Sequence, residues 1–279
     1  MKFGVNSLIW TAGFDAVHLS LLGKVKRMGF DGVEIARFSF DRFPAGRIRR
    51  ALADEGLECT FCSALTERTS LVSDNARLRD KARDFLKRGI ETAAELGTRV
   101  FAGPFCAPVG LLVGRRRTAD EWKRAVEGLQ SLGGALDACG VTLAIEPLNR
   151  FETYFLNTAA DARRLCEDVG HPRIGVLFDT FHANIEERDL AGAIRELGPF
   201  LSHVHACEND RGAPGSGHIP WRAVSQALRA VAYDGWIVIE SFGSNIPEIA
   251  AAACIWRDLA DKPEAIAEEG LAFLKSAFL

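Results

Sequence analysis

The sequence predicts an α/β protein closed into a (β/α)8 barrel, a single domain over residues 1–279. Three observations carry this expectation. Short apolar runs alternate with amphipathic stretches eight times, with short connections and no break in composition. No glycine-rich phosphate loop follows the first run, which disfavours a doubly wound sheet. Four successive runs, the fifth to the eighth, each end in a carboxylate or an imidazole, and only a closed ring brings such ends together.

Taken in order, Phe3 to Ile9 reads as the first strand, and Ala16 to Met28 as its helix, closed by Gly29. Gly32 to Ile35 is a short second strand, followed by a helix from about Ala45 to Glu55 that stops at Gly56. Leu57 to Cys62 is the third strand. The polar segment Thr66 to Ser73 reads as loop, and Asp74 or Asn75 can cap a long helix running to Leu96 before Gly97. Val100 to Ala102 is the fourth strand, ended by Gly103-Pro104, and Phe105 to Arg117 is the longest irregular loop. Thr118 and Glu121 form a capping box for a helix expected to end at Gly140.

The fifth strand, Val141 to Ile145, is an unbroken β-branched and aliphatic run, the pattern of burial on both faces. It delivers Glu146 at the point where Pro147 must end the pairing. Thr158 to Asp161 then caps a helix to Val169 and Gly170. The sixth run, Ile174 to Phe178, ends in Asp179 with His182 close behind, and its helix spans Asp189 to Leu197. The seventh, from Leu201, ends in His205; beyond the loop Gly212 to Gly217 a helix starts near Pro220-Trp221. The eighth, Trp236 to Ile239, ends in Glu240, and C-terminal helices follow.

Apolar residues make up 48% of the chain and charged residues 25%, enough for a sizeable core and a solvated surface. A formal net charge of −3 speaks against nucleic acid as a partner and against an acidic membrane surface. No apolar run approaches the ~18 residues of a membrane span, and the N-terminus lacks the apolar core of a signal peptide, so a cytoplasmic protein is expected. The seven cysteines are read as free thiols; Cys59 and Cys62 lie on one strand, where residues three apart face opposite ways.

The four strand-end residues decide the chemistry. Each buried carboxylate is penalised by several kcal/mol, and three together repel one another. A divalent cation removes both objections. The oxygen and nitrogen donors of Glu146, Asp179, His205 and Glu240 suit Mn²⁺, Co²⁺ or Mg²⁺ better than a thiolate-selected metal. Singly, each residue has an ordinary alternative: Glu146 paired with Arg150, Asp179 as a helix cap, His205 as a satisfied core histidine, Glu240 as a strand-end charge in solvent. One site accounts for all four. His203, two residues before His205, is assigned a supporting role deeper in the barrel, and His18 and His171 none. Glu152, His182 and Arg211 follow on the adjoining loops and can hydrogen-bond a polyhydroxylated ligand. The trio Arg115-Arg116-Arg117 reads as a solvated turn before a helix.

At these residues the sequence resembles the D-tagatose 3-epimerase and D-allulose (psicose) 3-epimerase family of ketose 3-epimerases, within the xylose-isomerase-like TIM barrels. The matching segments are Glu146-Pro147-Leu148-Asn149-Arg150-Phe151-Glu152, Asp179-Thr180-Phe181-His182, His203 to Arg211, Gly215 to Trp221, and Ile239-Glu240-Ser241-Phe242. The resemblance implies a metal-dependent ketose 3-epimerase of the D-tagatose/D-sorbose and D-fructose/D-allulose type, acting through a cis-enediolate with Glu146 and Glu240 as the acid–base pair. It also implies Glu146, Asp179, His205 and Glu240 as ligands of one divalent ion, Mn²⁺ ahead of Co²⁺ or Mg²⁺, and Glu152, His182 and Arg211 as sugar-binding groups. A homodimer or homotetramer is expected. The front half departs from the family pattern around Asn6, Ser7 and Phe105 to Val109, where aromatic residues shape the far end of the sugar. The alternatives on the same metal site are an aldose-ketose isomerase of the hydroxypyruvate isomerase type and a lyase of the inosose dehydratase type. An abasic-site endonuclease would want more histidines than the six present and a basic face, and a non-catalytic sugar-binding protein has no use for two flanking carboxylates.

Overall fold

The computed structural model describes residues 1–242 and 246–278, and eight parallel strands close into a barrel in sequence order. They are β1 (Lys2–Asn6), β2 (Gly32–Ala36), β3 (Glu58–Cys62), β4 (Val100–Gly103), β5 (Thr142–Ile145), β6 (Ile174–Asp179), β7 (Leu201–Ala206) and β8 (Trp236–Ile239). The ring shuts where β1 pairs with β8, Val5 opposite Ile239. Around it lie α1 (Ser20–Met28), α2 (Ala45–Asp54), α3 (Ala76–Leu96), α4 (Ala119–Gln130), α5 (Gly133–Cys139), α6 (Ala159–Val169), α7 (Thr180–Glu186), α8 (Leu190–Leu197), α9 (Trp221–Ala230), α10 (Pro247–Ala252) and α11 (Pro263–Phe278).

Alternation along each strand sorts its side chains into two layers. Phe3, Val5, Val33, Ile35, Phe61, Phe101, Leu143, Val176, Val204 and Ile237 join the helices in the main apolar core. The other set faces the barrel axis, where Ala102, Ala144 and Leu177 form a small separate cluster. Polar Asn6, Glu34, Thr60 and His203 complete this interior, each at most 1% exposed. A residue two places beyond an inward one is itself inward, so Glu146 follows Ala144, Asp179 follows Leu177 and His205 follows His203 into the same space.

Four element boundaries differ from the sequence reading, each for a local reason. The first strand stops at Asn6, because its side chain accepts the Leu8 N–H and turns Ser7–Ile9 into a 3₁₀ helix. The expected helix from Ala16 is divided: Asp15 and His18 form a capping box around a 3₁₀ turn, Ala16–His18, and α1 starts after it. The helix opened by Thr118 breaks into α4 and α5 instead of running to Gly140. Its capping box forms as expected, with Thr118 N–H to Glu121 Oε2 at 2.6 Å and Glu121 N–H to Thr118 Oγ1 at 3.2 Å. The break comes at Ser131 and Leu132, where Ser131 Oγ bonds the Gly128 carbonyl at 2.6 Å. Finally, α7 begins directly after β6, where the sequence reading placed only a loop.

All seven cysteines are free. Cys62 lines the cavity at the C-terminal mouth of the barrel, whereas Cys59 lines a different one with Lys2 and Trp236. The arginine trio is more engaged than a solvated turn. Arg115 reaches both oxygens of Glu121 at 2.9 Å, and Arg117 pairs with Asp161 at 2.6 Å while covering the Trp122 ring.

Candidate active site

Glu146 lies just beyond β5, Asp179 ends β6, His205 sits in β7 and Glu240 lies just beyond β8. One candidate ligand atom from each lies within 4.8 Å of the other three, and all four residues are buried. The sequence-predicted set is thus brought together at the C-terminal mouth. The ordinary alternative for Glu146 does not form, because Arg150 turns outward to Glu186 at 3.0 Å. For Asp179 both readings hold. Its Oδ1 caps α7 by accepting the Phe181 N–H (2.6 Å) and the His182 N–H (3.3 Å), while Oδ2 faces the site, 2.9 Å from Arg211 Nη1.

Arg211 is the main counter-charge. Its Nη1 also lies 3.0 Å from Glu240 Oε2, and the guanidinium is sandwiched between the Phe181 and Phe242 rings. Its backbone takes φ 68°, in the left-handed region that a non-glycine residue seldom occupies. The loop is held in that shape by buried Glu208, which accepts from the Gly215 N–H at 2.8 Å and from Trp221 Nε1 at 2.5 Å. Arg211 N–H in turn bonds the Glu208 carbonyl at 3.1 Å.

The electrostatics follow from burial and from these neighbours. Burial, and then the Glu240 carboxylate, push the Glu146 carboxyl well above the usual range. Burial would raise Asp179 as well, but Arg211, His182 and His205 outweigh it and hold its carboxyl low. Burial brings His182 down to about 4. It opposes charge on His205 too, yet Glu240 and Glu34 overcome it and raise that imidazole well above its ordinary value.

Two atoms test whether a cation fits here. Glu146 Oε1 and His205 Nδ1 are buried without a hydrogen-bond partner. His205 Nδ1 lies 3.3 Å from Glu240 Oε2, 3.8 Å from Asp179 Oδ2 and 3.9 Å from Glu146 Oε1. Three buried carboxylates crowded about one imidazole nitrogen, with Glu146 Oε1 left unbonded, repel one another in the protein alone and match the donor set of a divalent ion. The residues present therefore fit the metal that the sequence implied.

Glu152, His182 and Arg211 line the same cavity, as expected. Asn149 organises two of them: its N–H and Nδ2 lie 3.2 Å and 2.9 Å from His182 Nδ1, and Nδ2 reaches Glu152 Oε1 at 2.8 Å. His182 Nε2 is left facing Arg211 Nη2 at 3.0 Å and Glu146 Oε1 at 3.7 Å. The remainder of the wall is largely apolar, with Leu8, Phe38, Val109, Leu148, Phe242 and Ile249. His203 is deep in the barrel as assigned, and His218, beside the loop Gly212 to Gly217 and left undecided by the sequence, is exposed.

Sequence reasoning missed Glu34. It stands in the middle of β2, fully buried, and accepts four hydrogen bonds: Asn6 Nδ2 and Thr60 Oγ1 at 2.8 Å, and the Nε2 atoms of His203 and His205 at 2.7 Å. The available signal was a carboxylate at the centre of a strand otherwise made of Gly, Val, Ile and Ala.

Residues 22–277 match the family model described as xylose isomerase-like TIM barrel. A probable ketose 3-epimerase of Synechocystis sp. is 36% identical over 278 residues, covering 100% of this chain and 97% of the relative. The chain belongs to the ketose 3-epimerase group of this family. A D-psicose 3-epimerase of Agrobacterium fabrum, 32% identical over 270 residues, covers 93% of this chain and 91% of the relative. The solved structure of an L-ribulose 3-epimerase matches with a TM-score of 0.94 at 32% identity, covering 99% of this chain and 94% of that one. Membership in the ketose 3-epimerase group agrees with the resemblance read from the strand-end motifs.

Proposed function

We propose that the protein epimerises a free ketose at carbon 3, with Glu146 and Glu240 as the acid–base pair. The observation that carries this is the meeting of two carboxylates, from strand ends three staves apart in the ring, at one buried site with Asp179 and His205. Epimerisation requires a proton to leave one face of C3 and another to arrive on the opposite face. The neighbouring C2 carbonyl makes the proton acidic, and its loss gives an enediolate. One carboxylate takes the proton, the other returns one, and the roles exchange with the configuration of the substrate.

Glu146, Asp179, His205 and Glu240 would hold one divalent ion, proposed as Mn²⁺ ahead of Co²⁺ or Mg²⁺, which supplies Lewis-acid stabilisation of negative charge developing on the sugar oxygens. His182 and Arg211 orient hydroxyls near O1 and O2, and Glu152 holds the O1 end. Asn149 supports this arrangement by fixing both Glu152 and His182.

The wall favours an unphosphorylated sugar of the D-tagatose/D-sorbose or D-fructose/D-allulose type. Among the described lining residues, Arg211 is the sole Lys or Arg, and it is already paired with Asp179 and Glu240. A phosphate dianion would meet Glu146, Glu152 and Glu240 with no unpaired basic side chain among the described lining residues to oppose them. The proposed assembly is a homodimer or homotetramer of single-domain chains. Exposed Leu111, Leu112, Val113 and Phe151 support it, on loops joined by the Gly110 N–H to the Glu152 carbonyl at 2.8 Å. A cytoplasmic location accords with the lack, among the described residues, of a helix long and apolar enough to cross a membrane.

The test is to incubate the manganese-loaded protein with free and phosphorylated ketoses and resolve the products by chromatography and mass. A C3 epimer of a free ketose is expected. An aldose product would indicate an aldose-ketose isomerase, and loss of water a dehydratase.

A further inference from the structure

We infer that Glu34 is a positioning residue that determines which nitrogen His205 presents to the site. This rests on the reading of Glu146, Asp179, His205 and Glu240 as the set that holds a cation, and it adds a residue from the opposite part of the barrel.

Glu34 is fully buried, and a buried carboxylate is tolerated only when its lone pairs are matched. An ionised carboxylate accepts at about four sites and donates at none. All four are taken: Asn6 Nδ2 and His205 Nε2 on Oε1, Thr60 Oγ1 and His203 Nε2 on Oε2. These donors come from β1, β3 and β7, so the group is held from several sides and cannot turn. Because Glu34 only accepts, His205 must present Nε2–H to it. The other tautomer would set two lone pairs against each other at 2.7 Å. With Nε2–H committed to Glu34, the nitrogen whose lone pair His205 can offer a cation is Nδ1, the buried atom without a partner that faces Glu240, Asp179 and Glu146.

Glu34, His203 and His205 could themselves be taken for a second cation site. Their contacts argue for hydrogen bonds. Both nitrogen-to-oxygen distances are 2.7 Å, whereas neighbouring ligands of one ion at ~2.1 Å in octahedral geometry stand roughly 3 Å apart. The hydrogen-bond reading also accounts for the Asn6 and Thr60 donors.

The test measures cation binding and ligand geometry, not turnover. Mn²⁺ isotherms are compared for wild type, Glu34→Gln and Thr60→Val. Glu34→Gln replaces an accepting oxygen with a donating nitrogen, and Mn²⁺ affinity is expected to fall ~10–100-fold, the usual cost of losing such a partner. Thr60→Val removes a donor to the carboxylate but leaves the His205 bond, and its affinity is expected to stay within about threefold. Proton NMR of the Co²⁺-loaded wild-type protein in H₂O provides an assay that needs no variant. One hyperfine-shifted, slowly exchanging imidazole N–H is expected from His205 Nε2. Absence of that resonance, or wild-type Mn²⁺ affinity in a folded Glu34→Gln, overturns the proposal. So does a stoichiometry of two ions per chain with one lost in Glu34→Gln, which would make Glu34 a ligand. A wild-type protein that takes up neither ion would fail at the underlying site reading, a distinct result.

Discussion

Replacing Glu240 by Gln separates the catalytic role of this carboxylate from its structural one. Glu240 Oε2 lies 3.0 Å from Arg211 Nη1, an attraction of roughly 5–6 kcal/mol at an effective dielectric of about 20. The His205 imidazole, 3.3 Å away, adds an attraction of similar size. Against both stand the Glu146 and Asp179 carboxylates, each within 4.8 Å and repelling by roughly 3–4 kcal/mol apiece when ionised, and the several kcal/mol that withdrawing a carboxylate from water costs. The terms nearly cancel, so removing the charge is expected to move metal-free stability by no more than about 2 kcal/mol and Tm by roughly 5 °C or less. Turnover, by contrast, is expected to fall at least ~10²–10⁴-fold, because one face of C3 loses its proton carrier. The assay is proton NMR in D₂O with each of two C3-epimeric ketoses, on protein whose cation content has been measured. Glu240→Gln should still exchange the C3 proton of the one epimer that Glu146 serves, and Glu146→Gln the other. Turnover within tenfold of wild type, or exchange of both epimers by both metal-replete variants, would refute the two-carboxylate mechanism.

Three further outcomes are expected. Glu121, held down to about 2 by Arg115 despite its burial, has a folded pKa below its ordinary 4.5. Its contribution is therefore complete above pH ~4.5 and lost as pH falls towards 2; Glu121→Gln should lose up to about 3 kcal/mol at pH 7 by urea unfolding and converge with wild type at the acid end. Gly103 has φ 147°, and a side chain there would run into the Ser63 carbonyl, so Gly103→Ala should cost more than about 4 kcal/mol or prevent folding. A milder loss in thermal unfolding would show that the β3–β4 contact can relax. Phe151, 70% exposed beside the mouth, should matter for assembly and little for folding. Phe151→Ser is expected to shift light-scattering mass towards monomer with Tm of the monomer unchanged, and an unaltered mass would remove this patch from the interface.

Much of this protein is written in short windows of sequence. A buried parallel strand shows as an unbroken apolar run, and the polar residue that ends it must emerge at the strand's C-terminal mouth; hence Glu146, Asp179, His205 and Glu240 stood out together. The Thr118–Glu121 box and the closing glycines Gly29 and Gly97 are equally local, and each formed where it was expected. Other features depend on partners distant in sequence. Arg150 turned from Glu146 to Glu186, Arg211 took a left-handed backbone because Glu208 fastens its loop, and Asp179 capped a helix and faced the site at once. Glu34 lies furthest from any local signal. Its bond to His205 joins residues 171 apart, from strands that are not neighbours in the barrel. Alternation says that both point inward, but their meeting at 2.7 Å depends on ring closure and on the stagger of every strand between them. That is a property of the whole sheet, and no stretch of the chain contains it.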